Sequence, residues 1–154
     1  MEYIVGITLA LFVCGAAMVL GMDRERVFYP AVAIAVTSYY LAFAVADGRS
    51  EVWLNELVIA AVFVTAAVLG FKRNPWIAVL ALGGHGVMDV FHHLLVHNEG
   101  VPRAWPGFCM SFDVTAASLV TGLMLMRARD GRSPHGIRYA ETTRRLAAER
   151  SSRE

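Results

Sequence analysis

The sequence predicts an all-α polytopic membrane protein: five transmembrane helices bundled together, with the N-terminus outside and the C-terminus in the cytoplasm. Three observations predict it. Hydrophobic residues make up 56% of the 154 residues and charged residues only 18%, against about a quarter charged in soluble domains. The apolar residues fall into blocks of about twenty, the length a helix rising about 1.5 Å per residue needs to cross about 30 Å of hydrocarbon. The basic residues are distributed very unevenly among the breaks between those blocks.

The first block runs over about 3–21. Met1-Glu2-Tyr3 carries no basic run, so this block is expected to remain as a helix and not to act as a cleaved signal. Gly6, Ala10 and Cys14 recur every four residues on it. Small residues at that spacing allow close helix approach, either within one subunit or in a homo-oligomer joined through helix one. The second block covers 28–46, after the break Asp23-Arg24-Glu25-Arg26, and Pro30 suits its first turn. The third covers 53–71, after Asp47-Gly48-Arg49-Ser50, and the fourth 76–96, after Lys72-Arg73-Asn74-Pro75. The fifth covers 105–126, after Asn98-Glu99-Gly100-Val101-Pro102. Each block must be helical, because lipid cannot satisfy backbone polar groups and the alternation of a closed barrel is absent.

These blocks make residues 1–127 the membrane domain and 128–154 an arginine-rich tail. With the tail inside, Arg24, Arg26, Lys72, Arg73 and the tail arginines share one side, leaving Arg49 and Arg103 on the other. That asymmetry obeys the positive-inside rule and gives a multi-pass protein of the cell membrane. Trp53 and Trp105 mark the outer interface and Trp76 the inner one. In the tail, Glu141–Arg145 and Glu149–Arg153 have the spacing of helical ion pairs, and its arginines suit anionic lipid. A net charge of +1 suggests no nucleic-acid partner, and His97 and His135 are expected to face solvent. Two cysteines make no disulfide framework, and P-loop, dinucleotide-binding, CxxC and nucleophile-elbow motifs are absent.

Ionisable residues inside the blocks are the functional clue, since a charge at mid-membrane is costly and usually paired or functional. The fourth block holds His85, Asp89, His92 and His93, the third Glu56, the fifth Asp113, and the second Ser38, Tyr39 and Tyr40. At about 100° per residue, His85, Asp89 and His92 line one helical stripe within about 60°, and His93 can replace His92. Depths counted from the outer helix ends place His92 at about 6 Å, Asp89 at about 10 Å, Asp113 at about 12 Å and His85 at about 16 Å. Glu56 at about 5 Å and the tyrosines at about 9–11 Å share that outer half, so one site opening to the extracytoplasmic side is expected.

Imidazole and carboxylate are ligands of zinc first, and of iron or manganese. The leading expectation is a metal site on His85, Asp89, His92 and His93, with Asp113 and Glu56 as catalytic or orienting carboxylates and Ser38, Tyr39 and Tyr40 lining the pocket. Such a site could hydrolyse a lipid or other amphiphile entering from the bilayer. In one respect, a polar metal site inside a helical bundle, the arrangement resembles the alkaline-ceramidase and adiponectin-receptor superfamily. Its members have more helices and spread their histidines over several of them, whereas here one helix carries all the membrane histidines. Two other functions fit the same residues: a proton or ion relay in a small transporter, and a non-catalytic scaffold held by structural polar contacts. Haem ligation is a weaker idea, because histidines on one helix reach facing positions only if two copies meet.

Overall fold

The computed structural model describes residues 1–131, and all its regular structure is helical. Five helices follow one another: α1 Glu2–Leu20, α2 Phe28–Asp47, α3 Ser50–Lys72, α4 Pro75–Leu95 and α5 Trp105–Gly131, with a short 3₁₀ turn at Met22–Arg24. All five are long and apolar enough to cross a membrane. Residues from 132 onward, including His135 and the pairs Glu141–Arg145 and Glu149–Arg153, lie outside the described residues.

The helix ends follow local chemistry. Gly21 (φ 75°) and Gly48 (φ 83°) close α1 and α2 in the left-handed conformation, which glycine adopts without Cβ strain. At the start of α4, the Asn74 side chain accepts a hydrogen bond from Trp76 N (3.0 Å), and Pro75 takes the first-turn position. Only Gly48 and Arg49 separate α2 from α3, and only Arg73 and Asn74 separate α3 from α4. Such short connections make the three helices antiparallel neighbours, and α2, α3 and α4 all pack on one another.

Contacts divide the chain into two units, Met1–Leu119 and Val120–Glu154, with the division falling inside α5. The first unit contains α1 to α4, the start of α5 and every ionisable residue of the site. The described part of the second is the last turns of α5, where Arg127 and Arg129 are exposed.

Within the first unit the core is the reverse of a water-soluble one. Alanines such as Ala10, Ala33, Ala44, Ala60, Ala67 and Ala81 fill much of it. Large apolar side chains such as Phe12 (70% exposed), Leu80 (71%) and Leu94 (72%) point outward. The largest fully buried side chains include His85, Glu56, Thr37, Asp89 and Asp113. Lipid offers Leu and Phe as favourable a surrounding as a core does, so small residues for close approach and polar groups in need of partners take the interior.

Glycines set the spacing around α5. A Cβ at Gly6 on α1 would overlap Ser111 Oγ and the Phe108 carbonyl, and one at Gly86 on α4 would fall 2.9 Å from Asp113 Cβ. The Gly6, Ala10, Cys14 stripe is buried, and through Gly6 it meets α5 of its own chain. Cys14 and Cys109 are both buried free thiols.

Candidate metal centre

On α4, His85, Asp89 and His92 stand at i, i+4 and i+7 and are 1%, 1% and 3% exposed. Helical periodicity puts them on one face, and that face is turned to the interior. Cys109 and Asp113, one turn apart on α5, are 1% and 0% exposed. Because Gly86 lacks a side chain, α5 comes close enough for Asp113 to reach His85. The His85 Nδ1 to Asp113 Oδ2 distance is 2.7 Å, and Asp89 Oδ2 lies 3.7 Å from the same nitrogen. From α2, Tyr40 OH donates to Asp89 Oδ1 at 2.7 Å. Cys109 Sγ stands 4.0 Å from Asp113 Oδ2. Phe63 of α3 closes the group with its ring edge-on to His85, centroids 5.1 Å apart.

One donor atom from each of His85, Asp89, Cys109 and Asp113 lies within 4.8 Å of all the others. Ligands bound at about 2.0–2.2 Å in a tetrahedron are about 3.3–3.6 Å apart. The donors of this group thus stand a little beyond ligand spacing, a set that could hold an ion. His85 Nε2, Asp89 Oδ2 and Asp113 Oδ1 are buried with no hydrogen-bond partner. Unpartnered polar atoms are costly in a dry interior, and a cation would satisfy them.

A second polar group sits beside the first and draws His92 away from it. His92 Nε2 is 2.8 Å from Glu56 Oε1 of α3, and Asn98 Nδ2 donates to the same oxygen at 2.9 Å. The Tyr40 ring lies over the His92 ring with centroids 4.1 Å apart, so Tyr40 touches both groups. Of the sequence candidates on α2, only Tyr40 faces the interior. Ser38 is exposed and bonds the Ala35 carbonyl, and Tyr39 is 49% exposed against Trp105. Three successive helical residues cannot share one face. For the same reason His93 is exposed while His92 is buried.

Asn98 belongs to the α4–α5 connection, which is clamped at its base. Asp47 accepts from Arg49 (2.7 and 2.8 Å) and from Glu99 N (2.7 Å), while Arg49 Nη2 donates to the His97 carbonyl at 2.7 Å. His97 itself is 83% exposed, 3.7 Å from Glu99. A cavity of about 530 Å³ lies between this connection and the starts of α1 and α5. Its lining includes the buried Asp89 and His92, the apolar Val90, Val101, Pro106 and Met110, and, toward solvent, the exposed His93 and Arg103 with Glu2.

Sequence spacing pointed to His85, Asp89 and His92 or His93, and depth added Asp113 and Glu56; the fold gathers His85, Asp89 and Asp113 into one group, pairs His92 with Glu56 and leaves His93 exposed. Cys109 as a candidate donor had a signal, its four-residue spacing from Asp113 matching that of His85 from Asp89. Asn98 had none, because its role depends on how the connection folds back. Comparisons with protein-family models, with curated proteins and with solved structures each found no match to this chain.

Proposed function

We propose that this is a multi-pass cell-membrane protein whose bundle holds a divalent transition metal on His85, Asp89 and Asp113, zinc first, with iron or manganese as alternatives. One observation carries the reading: donor atoms of His85, Asp89, Cys109 and Asp113, from two helices, lie within 4.8 Å of one another, and the same residues carry buried atoms, His85 Nε2, Asp89 Oδ2 and Asp113 Oδ1, with no hydrogen-bond partner. Charge balance supports three protein ligands. A neutral imidazole and two carboxylates offset a dication, giving the uncharged site that a low-dielectric interior favours. A Cys109 thiolate would add a further negative charge, so Cys109 is read as a thiol beside the metal and not a ligand to it. Of these residues Asp89 also lines the cavity, so a ligand there would approach the group from its side.

A metal with an open position activates water or polarises a carbonyl. Around it, Tyr40 fixes Asp89, and the Glu56–His92 pair stands at the cavity where a proton can be taken or given. The activity proposed is hydrolysis of a lipid or amphiphile. The distribution of basic residues supports a cavity end outside the cell, with the N-terminus out and the C-terminus in.

Elemental analysis of tag-free protein tests the reading. About one metal per chain, lost in His85→Ala and Asp113→Ala, is expected. A metal-free wild type sinks it. One observation favours a second reading, a proton relay: Tyr40 stands between the two polar groups, donating to Asp89 and stacking on His92. A relay requires pH-dependent flux in liposomes without metal. Neither metal nor flux leaves a structural scaffold.

A further inference from the structure

We infer that the cavity takes an amphiphile with an anionic head, a phosphate ester of the glycerophospholipid kind, held by Arg103 at the mouth with its neutral linkage lowered toward Asp89. That this ligand is a substrate rests on the metal-centre reading. The inference about what binds rests on the cavity itself.

The volume of about 530 Å³ lies within the range of small-ligand sites, and the lining is graded. At the depth stand Asp89 and His92, 1% and 3% exposed. Val90, Val96, Val101, Pro102, Pro106 and Met110 make the walls apolar. Val90, half-exposed, shares its side of α4 with the exposed Val87 and Leu94. The wall is thus continuous with the apolar surface that acyl chains would cover.

Charge at the mouth sets the head group. Arg103 lines the cavity with no ion pair or hydrogen bond among the described residues. His93, exposed and on the same lining, adds a further nitrogen donor. Glu2, the carboxylate at this rim, is engaged by the terminal ammonium at 3.3 Å. An unengaged guanidinium presents the paired N–H groups that fit phosphate oxygens. A zwitterionic head would bring its own cation against Arg103, and a soluble anion would leave the apolar walls uncovered.

The test titrates the full chain in maltoside micelles with dihexanoyl phosphatidylglycerol, dihexanoyl phosphatidylcholine and inorganic phosphate, reading bound ligand by native mass spectrometry. Phosphatidylglycerol should bind about tenfold more tightly than phosphatidylcholine, the worth of one charge-assisted contact, and phosphate alone should not bind. Arg103→Gln should make the two lipids equal. Val90→Trp, or Val101→Trp should the first not fold, should abolish binding with Arg103 intact. Lys72→Gln, at the opposite end of α3, should change nothing. Equal lipids in the wild type, phosphate binding as tightly as lipid, binding undiminished by a folded tryptophan variant, or preference lost in Lys72→Gln each overturns the inference. Metal content measured on the same samples separates the two readings: lipid preference without metal removes the metal centre alone, and metal without preference removes this inference alone.

Discussion

His85 Nδ1 lies 2.7 Å from Asp113 Oδ2 and 3.7 Å from Asp89 Oδ2, so one imidazole is shared between carboxylates of two helices. Glu56, Asp89 and Asp113 make three buried carboxylates against the two imidazoles of His85 and His92, and neither group contains a Lys or Arg. In water such a surplus would be screened. In a dry bundle it must be met by protons or by a cation.

Metal should follow that pairing. His85→Ala, Asp89→Ala and Asp113→Asn should each leave the protein without metal by elemental analysis, while His93→Ala should retain it. Chelation should lower the wild-type Tm, and restoring zinc at a hundredfold excess over its Kd should return about 2.7 kcal/mol of stability. Absence of any zinc-dependent shift would contradict the assignment.

Cys109 separates a closed site from an open one. With the thiol outside the coordination sphere, Cys109→Ser should keep the metal stoichiometry, and cobalt-substituted protein should show no thiolate charge-transfer absorption. Loss of metal in Cys109→Ser would make the cysteine a ligand and the site a structural one.

The Glu56–His92 pair should act independently of the metal. His92→Ala leaves the Glu56 carboxylate buried against Asn98 alone. Breaking a buried pair in this way costs about 3 kcal/mol, readable as a lower unfolding midpoint with unchanged metal content. Replacing both residues by similarly sized apolar groups should recover much of that loss. Metal lost in His92→Ala without loss of stability would instead place His92 among the ligands.

Gly86→Ala tests how the helices are spaced. The added Cβ would sit 2.9 Å from Asp113 Cβ and 3.2 Å from the Met110 carbonyl, so α4 and α5 must separate. Overpacking of this kind costs about 1–3 kcal/mol, and metal affinity should fall at least about tenfold because Asp113 leaves His85. At Gly15, where a Cβ meets nothing within 4 Å, the same substitution should be silent in both measurements.

Labelling with a membrane-impermeant thiol reagent checks the orientation. Glu99→Cys in the α4–α5 connection should react from outside intact cells, and Arg73→Cys between α3 and α4 should not. The reverse pattern would invert the topology and move the cavity to the cytoplasmic side.

Much of this was written along the chain. The five blocks match the helices to within a few residues at the ends, because an apolar run long enough to cross lipid can satisfy its backbone only as a helix. His85, Asp89 and His92 share a buried face because periodicity belongs to a single helix and needs no partner. What the chain alone could not decide was which neighbour each side chain meets. His92 lies on the same stripe as His85, yet it is claimed by Glu56 across α3 and by Asn98 from a connection that folds back. Asp113 becomes the partner of His85 only because Gly86 allows α5 to approach. Length and hydropathy act locally and are legible in one dimension, whereas a ligand set is a property of distances between helices, fixed when small residues choose how closely those helices pack.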